Sequence, residues 1–253
     1  MHPPQAPDDT TPDDAEWASL LTRDPGLAVP GGLYRGLLAA NSNGGLILGR
    51  IAQTIDGRIA TASGESFWIS GPEDILHTHR LRALFDAVVV GAGTVRADDP
   101  LLTTRHCPGP SPIRVVIDTD RRLGDAYRIF AGSPHTILVC ANDAPAKPAP
   151  RAAEVMTVAR NAAGLDLDAL IVGLQARGLR RIFIEGGGLT VSRFLAAGLL
   201  DRLHVTLAPL LLGSGIPAFT LPGVSHPDQG LRVSWTVHRL GHDLLLDIPL
   251  TRA

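Results

Sequence analysis

This chain has few cysteines, few aromatic residues, no long apolar run and almost no net charge, and each shortage removes a class of function. Its two cysteines, Cys107 and Cys140, are too few for a disulfide framework or a Cys-based zinc site, and they read as a loop thiol and a strand-core thiol. A formal net charge of -2 leaves no basic footprint for nucleic acid and no polybasic membrane patch. No apolar run approaches the roughly 20 residues that a membrane-spanning helix needs. The opening MHPPQAPDDTTPDDAE is acidic and Pro-rich, unlike a signal or transit peptide. A cytoplasmic protein without nucleic-acid or membrane partners is therefore expected. The chain also lacks a G-x-S-x-G elbow, a P-loop, an H-E-x-x-H and the H-x-E with P-C-x-x-C pair of zinc deaminases, so hydrolysis and metal chemistry have no anchor. His77 and His79 stand two apart, which does not place them on one helical face, and no third ligand follows at useful spacing; surface or interface histidines are expected, and no metal.

What is present is a 45% hydrophobic composition over 253 residues, ample for a substantial core. Residues 1–12 have the composition of a disordered tail, and DDAEWASLLTR (13–23) predicts a short amphipathic helix with acidic residues at its start and Trp17, Leu20 and Leu21 on one stripe. Pro25, Pro30, Gly31 and Gly32 break the chain, as does Asn41-Ser-Asn-Gly-Gly45, and an edge strand is expected between the two breaks. The main domain is expected to span 46–253. From Leu46 the pattern is βαβ: LILGRIAQT as strand, PEDILHTHRLRALF as helix, DAVVVG as strand and a helical turn near TVRAD. IRVVID, HTILVC, EVMTVA and RIFIE add strands, and DLDALIVGLQARG and LTVSRFLAAG add helices. LHVTLAPLLLG and LRVSWTVHRLGHDLLLDIPL alternate over longer runs, which suits antiparallel strands at one side of the sheet. The fold class is α/β, with a mostly parallel central sheet, antiparallel C-terminal strands and flanking helices.

Two strands run into glycine-rich turns that open helices. VVVGAGTV lets Gly91, Ala92 and Gly93 approach a ligand, yet Arg96 stands at the third glycine position of a dinucleotide fingerprint and no acidic residue closes the unit. IEGGGLTVSRF places Glu185 at a strand end and three glycines before a helix N-terminus, a carboxylate beside an anion cradle. A strand–glycine–helix junction needs glycine for packing in any case, so each turn alone fits packing as well as function; two in one sheet favour an extended phosphate-bearing cofactor. In ADDPLLTTR (97–105), Asp98, Asp99 and Pro100 suit the end of a helical turn, whereas Thr103, Thr104 and Arg105 suit a substrate phosphate. Arg82 is a second cation for the same place, or a solvated helix residue. The stretch TIDGRIATASGESFWISG (54–71) reads either as a hairpin at Asp56-Gly57 or as a wall that holds a ligand.

These blocks, with HRLRALFDAVVVGAGTVRADDPLLTTR and IFIEGGGLTVSRFLAAGLLDRLHVTLAPLLLG, resemble the C-terminal reductase domain of the bacterial riboflavin-biosynthesis deaminase/reductase. The resemblance implies a dihydrofolate-reductase-like fold and NADPH-dependent reduction of 5-amino-6-(5-phosphoribosylamino)uracil to the ribitylamino compound, by hydride transfer to C1 of the ring-opened ribose. Carried over by position, it implies cofactor contacts at Ala52, Trp68, Thr94, Asp98 and Thr119 and along Gly187, Gly188, Leu189, Thr190, Val191, Ser192 and Arg193. It implies substrate contacts at Ser66, Arg82, Leu102, Arg105 and Glu185, with Arg82 and Arg105 on the ribose phosphate. Glu185 and Arg50 are the catalytic candidates, and Arg121 and Arg122 are candidates for a cofactor 2′-phosphate. A homodimer or higher homo-oligomer is also implied, with LLLDIPL as a candidate interface.

Two departures qualify the match. The family commonly carries Lys where this chain has Arg50 and Ser where it has Thr54, and a guanidinium does not readily donate a proton near neutral pH. The deaminase half that usually precedes this domain is replaced by about 45 residues of other character, so a stand-alone reductase is expected. The other readings are a reductase of this fold acting on another pyrimidine or a pterin, and a nucleotide-binding homologue without turnover.

Overall fold

The computed structural model describes residues 12–23, 32–38, 45–67, 69–151, 153–162 and 164–250. Helix α1 (Asp14–Leu21) starts at an Asp13–Glu16 capping box, in which each side chain takes the other residue's backbone N–H, and buries Trp17 and Leu20. Helix α2 (Leu33–Leu38) occupies part of the stretch expected as an edge strand. Leu33, Tyr34, Leu37 and Leu38 are all buried on this short helix. Arg202 and Arg181 also donate to the carbonyls of Gly36 (2.9 Å) and Leu37 (2.6 Å) at its C-terminal end.

Strand β1 (Leu46–Thr54) turns at Asp56-Gly57 into β2 (Arg58–Thr61), and α3 (Pro72–Leu84) leads to β3 (Ala87–Gly91). Short helix α4 (Ala92–Asp98), β4 (Ile113–Ile117), β5 (Thr136–Ala141) and β6 (Glu154–Val158) follow. A minor pair, β7 (Arg160–Asn161) and β8 (Gly164–Leu165), precedes α5 (Leu167–Gln175), β9 (Arg181–Glu185), α6 (Gly188–Ala196) and β10 (Arg202–Ala208). The chain closes with β11 (Gly215–Pro217), β12 (Thr236–Leu240) and β13 (Asp243–Pro249). Among the described residues the main sheet runs β12-β13-β10-β1-β9-β3-β4-β5-β6, with β13 antiparallel to both of its neighbours and the ladders from β10 to β6 parallel. The turn after β1 is a tight one, with Gly57 at φ 77 and its N–H on the Thr54 carbonyl at 3.0 Å. The strand it launches pairs with β11, forming a separate ribbon, rather than folding back onto β1.

Side-chain alternation divides the core. Ile47 and Ile51 of β1 and Ile182 and Ile184 of β9 face α5 and α6 in one apolar cluster; Leu48 and Phe183 face α1, α2 and α3 in the other. On that second face the apolar pattern stops toward β10 and β13. Arg50, Glu185, His204, Thr206 and Asp247 project there in successive ladders. Helix α3 answers with Asp74, His77, Thr78, His79 and Arg82, all buried. His77 and His79 are thus interior residues rather than the surface or interface histidines expected, because His77 meets the polar sheet at His204 and His79 is covered by the loop at Arg105.

The two central histidines form a hydrogen-bonded chain that cannot hold when both are protonated. Tyr34 Oη lies 2.8 Å from His77 Nδ1, His77 Nε2 lies 3.1 Å from His204 Nδ1, and His204 Nε2 lies 3.3 Å from Asp247 Oδ1. Protons on Tyr34 Oη and His77 Nε2 give the first two junctions one donor and one acceptor each, while His204 Nε2 faces Asp247 outside hydrogen-bond geometry. Burial lowers the pKa of both rings: His77 lies well below its ordinary value, further depressed by His204 and Arg50, and His204 is lowered against the pull of Asp247. His79 is lowered to about 3, by burial first and then by Arg82, His106 and Arg105. With folded-state values depressed, the unfolded chain binds the extra protons as pH falls through about 6.5, so stability is present above that pH and is lost below it. Thermal unfolding followed from pH 7.5 to 5.5 should therefore show a falling midpoint, corresponding to about 1 kcal/mol per buried histidine at the acid end. A flat midpoint over that window would contradict the neutral state of these histidines.

Candidate active site

The carboxyl ends of β1, β3, β4 and β9 open into a cleft of about 790 Å³, the size of an ordinary small-molecule or cofactor site. One wall consists of the two glycine turns, which interlock. A Cβ on Gly187 would stand 2.8 Å from Thr94 Oγ1, and φ is 66 there, so both space and backbone demand glycine. One on Gly188 would stand 2.4 Å from the Ala218 carbonyl. Gly93 and Gly186 differ: a Cβ on either would meet nothing within 4 Å, so their backbones face open cleft. That open cradle at the start of α6 suits the phosphates of an extended cofactor.

The opposite wall is charged. Arg82 holds Glu185 at the end of β9 through two bonds, Nε–Oε2 at 2.8 Å and Nη2–Oε1 at 2.5 Å, while its Nη1 donates to the Thr103 carbonyl at 3.0 Å. Burial works against the Arg82 charge, but Glu185 outweighs it and the pKa is raised. Arg50, the ladder partner of Glu185, is bound to Asp74, which also accepts from Ser70 and, at 2.7 Å, from Thr206 Oγ1. Burial of Asp74 opposes its ionisation, yet Arg50 and these hydroxyls hold its pKa below the ordinary carboxylate range. In the cleft the Asp98 carboxyl is raised by burial. Asp99 closes α4 at φ 40 and turns its carboxylate to Arg128.

Of the residues expected at the site, Arg50, Ala52, Ser66, Thr94, Asp98, Leu102, Thr119, Glu185, Gly187, Gly188, Leu189, Thr190 and Arg193 line this one cleft. Val191 and Ser192 do not: both are buried, and Ser192 Oγ receives the Thr220 N–H at 2.9 Å, because alternate helix faces of α6 serve ligand and core. Arg82 lies behind Glu185 instead of free in the cleft, and Arg105 lies beside the cleft, exposed, with Nη1 on Thr103 Oγ1 at 2.8 Å. Trp68 lies outside the described residues. Thr54 is fully buried and shapes the turn, donating to Asp56 at 2.6 Å and receiving the Arg58 N–H at 2.9 Å. Asp74 was not foreseen: an aspartate in a helix's first turn reads as a dipole partner, and only the fold reveals Arg50 above it.

A cleft at the carboxyl ends of parallel strands, with an anion cradle on one wall and anchored carboxylate and guanidinium groups on the other, defines an α/β enzyme of phosphate-bearing ligands. Residues 46–243 match the RibD C-terminal domain family, and the chain belongs to that family. It is 35% identical over 207 residues to the 2,5-diamino-6-ribosylamino-4(3H)-pyrimidinone 5′-phosphate reductase of Methanothermobacter thermautotrophicus, covering 78% of this chain and 94% of that one. It is 35% identical over 204 residues to riboflavin biosynthesis protein RibD of Mycobacterium tuberculosis, covering 79% of this chain and 52% of the other, so it spans about half the length of that relative. The structure of Acinetobacter baumannii RibD superposes with a TM-score of 0.74 at 29% identity, over 87% of this chain and 62% of that one. The fold is dihydrofolate-reductase-like, and the chain is a reductase of the riboflavin-biosynthesis type, whose reaction draws on a nicotinamide cofactor.

Removing one partner of the Arg50–Asp74 pair leaves a buried charge behind. Asp74→Asn should therefore cost about 3 kcal/mol or more in urea denaturation; a cost below about 1 kcal/mol would show that the pair behaves as an exposed one.

Proposed function

We propose that this chain uses NADPH to reduce 5-amino-6-(5-phosphoribosylamino)uracil to its ribitylamino product. The observation that carries this reading is the continuity of one cleft from the glycine cradle, across Thr94 and Thr119, to Glu185, Arg50, Ser66 and Leu102. Bound nicotinamide supplies the hydride. This chain's residues hold the opened sugar and exclude water, which is where most of the rate of a hydride transfer arises. Glu185 keeps acceptor capacity beyond its two bonds to Arg82 and can take sugar hydroxyl protons in hydrogen bonds. Arg50, fixed by Asp74, acts as a stationary positive charge rather than as a proton donor, so the proton for the reduced nitrogen arrives through water. Glu185→Gln should lower kcat by at least about tenfold with little change in the KM for cofactor; an unchanged kcat would remove Glu185 from the reaction.

The substrate phosphate is assigned to Thr103–Arg105. Burial lowers the Arg105 pKa first, and the charges of Arg82 and Arg128 lower it further, so an anion docking there relieves crowded positive charge. The cofactor 2′-phosphate is assigned to Arg122, which lines the cleft beside Thr119 and is exposed, 2.9 Å from Asp120. Arg121 instead turns inward to the Pro148 carbonyl at 2.8 Å. Arg122→Ala should raise the KM for NADPH by about tenfold and leave that for NADH unchanged, the loss of one charge-assisted contact. Equal effects on both cofactors would exclude the assignment.

A second reading is favoured by the 94% coverage of the archaeal reductase: that the base is the 2,5-diaminopyrimidinone rather than the uracil. Turnover compared on the two phosphates decides between them, and turnover of dihydrofolate alone would favour a pterin substrate. The exposed apolar side chains Leu211, Leu231, Trp235, Val237 and Leu244 support a homodimer. Leu245 and Ile248 within LLLDIPL are buried in the chain's own core. A cytoplasmic location accords with the reaction, and among the described residues no helix is long and apolar enough to cross a membrane.

A further inference from the structure

Helices α1 and α2 precede residue 46 and so lie outside the stretch matched by the family, yet they pack onto the loop that follows Arg105. That loop is closed at its base: the Thr104 N–H donates to Ser111 Oγ at 3.1 Å and Thr104 Oγ1 to the Pro110 carbonyl at 2.9 Å. Two bonds from outside hold it. His79 Nδ1 receives the Arg105 N–H at 2.9 Å, and Trp17 Nε1 donates to the Pro108 carbonyl at 2.9 Å. Gly109, next to Pro108 and at φ 136, is wedged between α3 and α1 so tightly that a Cβ would stand 2.7 Å from Ala83 Cβ and 3.0 Å from Leu21 Cδ2. Trp17 is itself fixed: it is 4% exposed, its ring meets that of Tyr34 edge-on at 5.8 Å, and the Arg80 guanidinium lies 5.5 Å from its centre.

The buried indole N–H of Trp17 needs an acceptor, and the one it takes ties α1 to a loop carbonyl 91 positions away. We propose that the N-terminal helices and α3 together form a clamp on residues 103–111, with Trp17 of α1 and His79 of α3 as positioning residues that preset Arg105 for the substrate phosphate. The clamp rests on the assignment of Arg105 made above for its effect on substrate, but not for its existence. Neither residue reaches the cleft, so each acts through the loop. His79 serves as a hydrogen-bond acceptor, and an asparagine at that position offers an oxygen close to where Nδ1 stands.

The test uses the full chain with Trp17→Phe, which keeps an aromatic side chain and removes the N–H together with the five-membered ring that carries it. Amide hydrogen exchange at 103–111 should quicken by about fivefold, the effect of one neutral hydrogen bond. The KM for 5-amino-6-(5-phosphoribosylamino)uracil should rise by a similar factor, with kcat and the KM for NADPH unchanged. His79→Leu should reproduce the rise, and His79→Asn should restore much of the affinity. Ile171→Ala, in the opposite core, controls for general loss of stability and should leave that KM alone. Unchanged exchange at 103–111 in Trp17→Phe overturns the clamp, as does an equal KM rise in Ile171→Ala. Exchange needs no substrate, so quickened exchange in a chain whose wild type reduces no pyrimidine phosphate upholds the clamp and sinks only the proposed reaction.

Discussion

The structure depends on how α3 is fastened to a sheet face that is charged rather than apolar. Two buried arginine–carboxylate pairs cross that interface in opposite senses: Arg50 of the sheet binds Asp74 of the helix, and Arg82 of the helix binds Glu185 of the sheet. Such pairs contribute little net stability against well-packed apolar groups, because desolvation offsets their attraction. What they fix is register. An apolar helix can slide on an apolar sheet at small cost, whereas moving α3 by one turn would leave four charges buried without partners. The two pairs therefore determine where α3 sits, and α3 in turn determines where Glu185 and Arg50 stand in the cleft.

The cleft inherits rigidity from that arrangement on one side and from interlocked glycine turns on the other. Thr94 closes against Gly187 and Thr190 against Gly91, where a Cβ would lie 2.6 Å from Thr190 Oγ1, so each turn is held by one threonine of the other. Ligand contacts then fall to backbone amides and small hydroxyls, which lose little entropy on binding. Leu102, at φ 51 and 2% exposed, carries a left-handed backbone between the helical turn of α4 and the loop with Arg105. A leucine in that region is strained, and the surrounding contacts must hold it there.

Much of the fold was legible because most of it obeys simple periodicity. LILGRIAQT, RIFIE and the helices from Pro72 and Asp166 fall where alternation and helical spacing place them, the last ending three residues before Gly178. The site residues on glycine turns and at strand ends were legible for a related reason: those positions face the carboxyl edge of the sheet whatever the tertiary details. Three things were not. The segment at Leu33–Leu38 is too short for period 2 and period 3.6 to separate, and its helix is settled by Arg181 and Arg202, which arrive from far along the chain. The roles of Arg82 and Arg105 depend on which finds a carboxylate, a fact of packing. The interior place of His77 follows from the polarity of strands that come more than 100 residues later.

The polar stripe on α3 also accounts for that last failure in general terms. Asp74, His77, Thr78, Leu81 and Arg82 recur at the spacing of a buried helix face, but four of the five are polar, so a search for apolar periodicity assigns the face to solvent. The stripe is tolerated because the seam is balanced. Arg50, Arg82 and Arg202 supply its positive charges, and Asp74, Glu185 and Asp247 supply its negative ones in three direct pairs. That balance holds only while His77 and His204 remain neutral, the state that burial favours for both rings. Arginine at position 50 fits this logic. A guanidinium keeps its charge when desolvated, whereas a buried ammonium readily gives up its proton, and an uncharged group at position 50 would leave Asp74 as an unpaired anion beneath the active site.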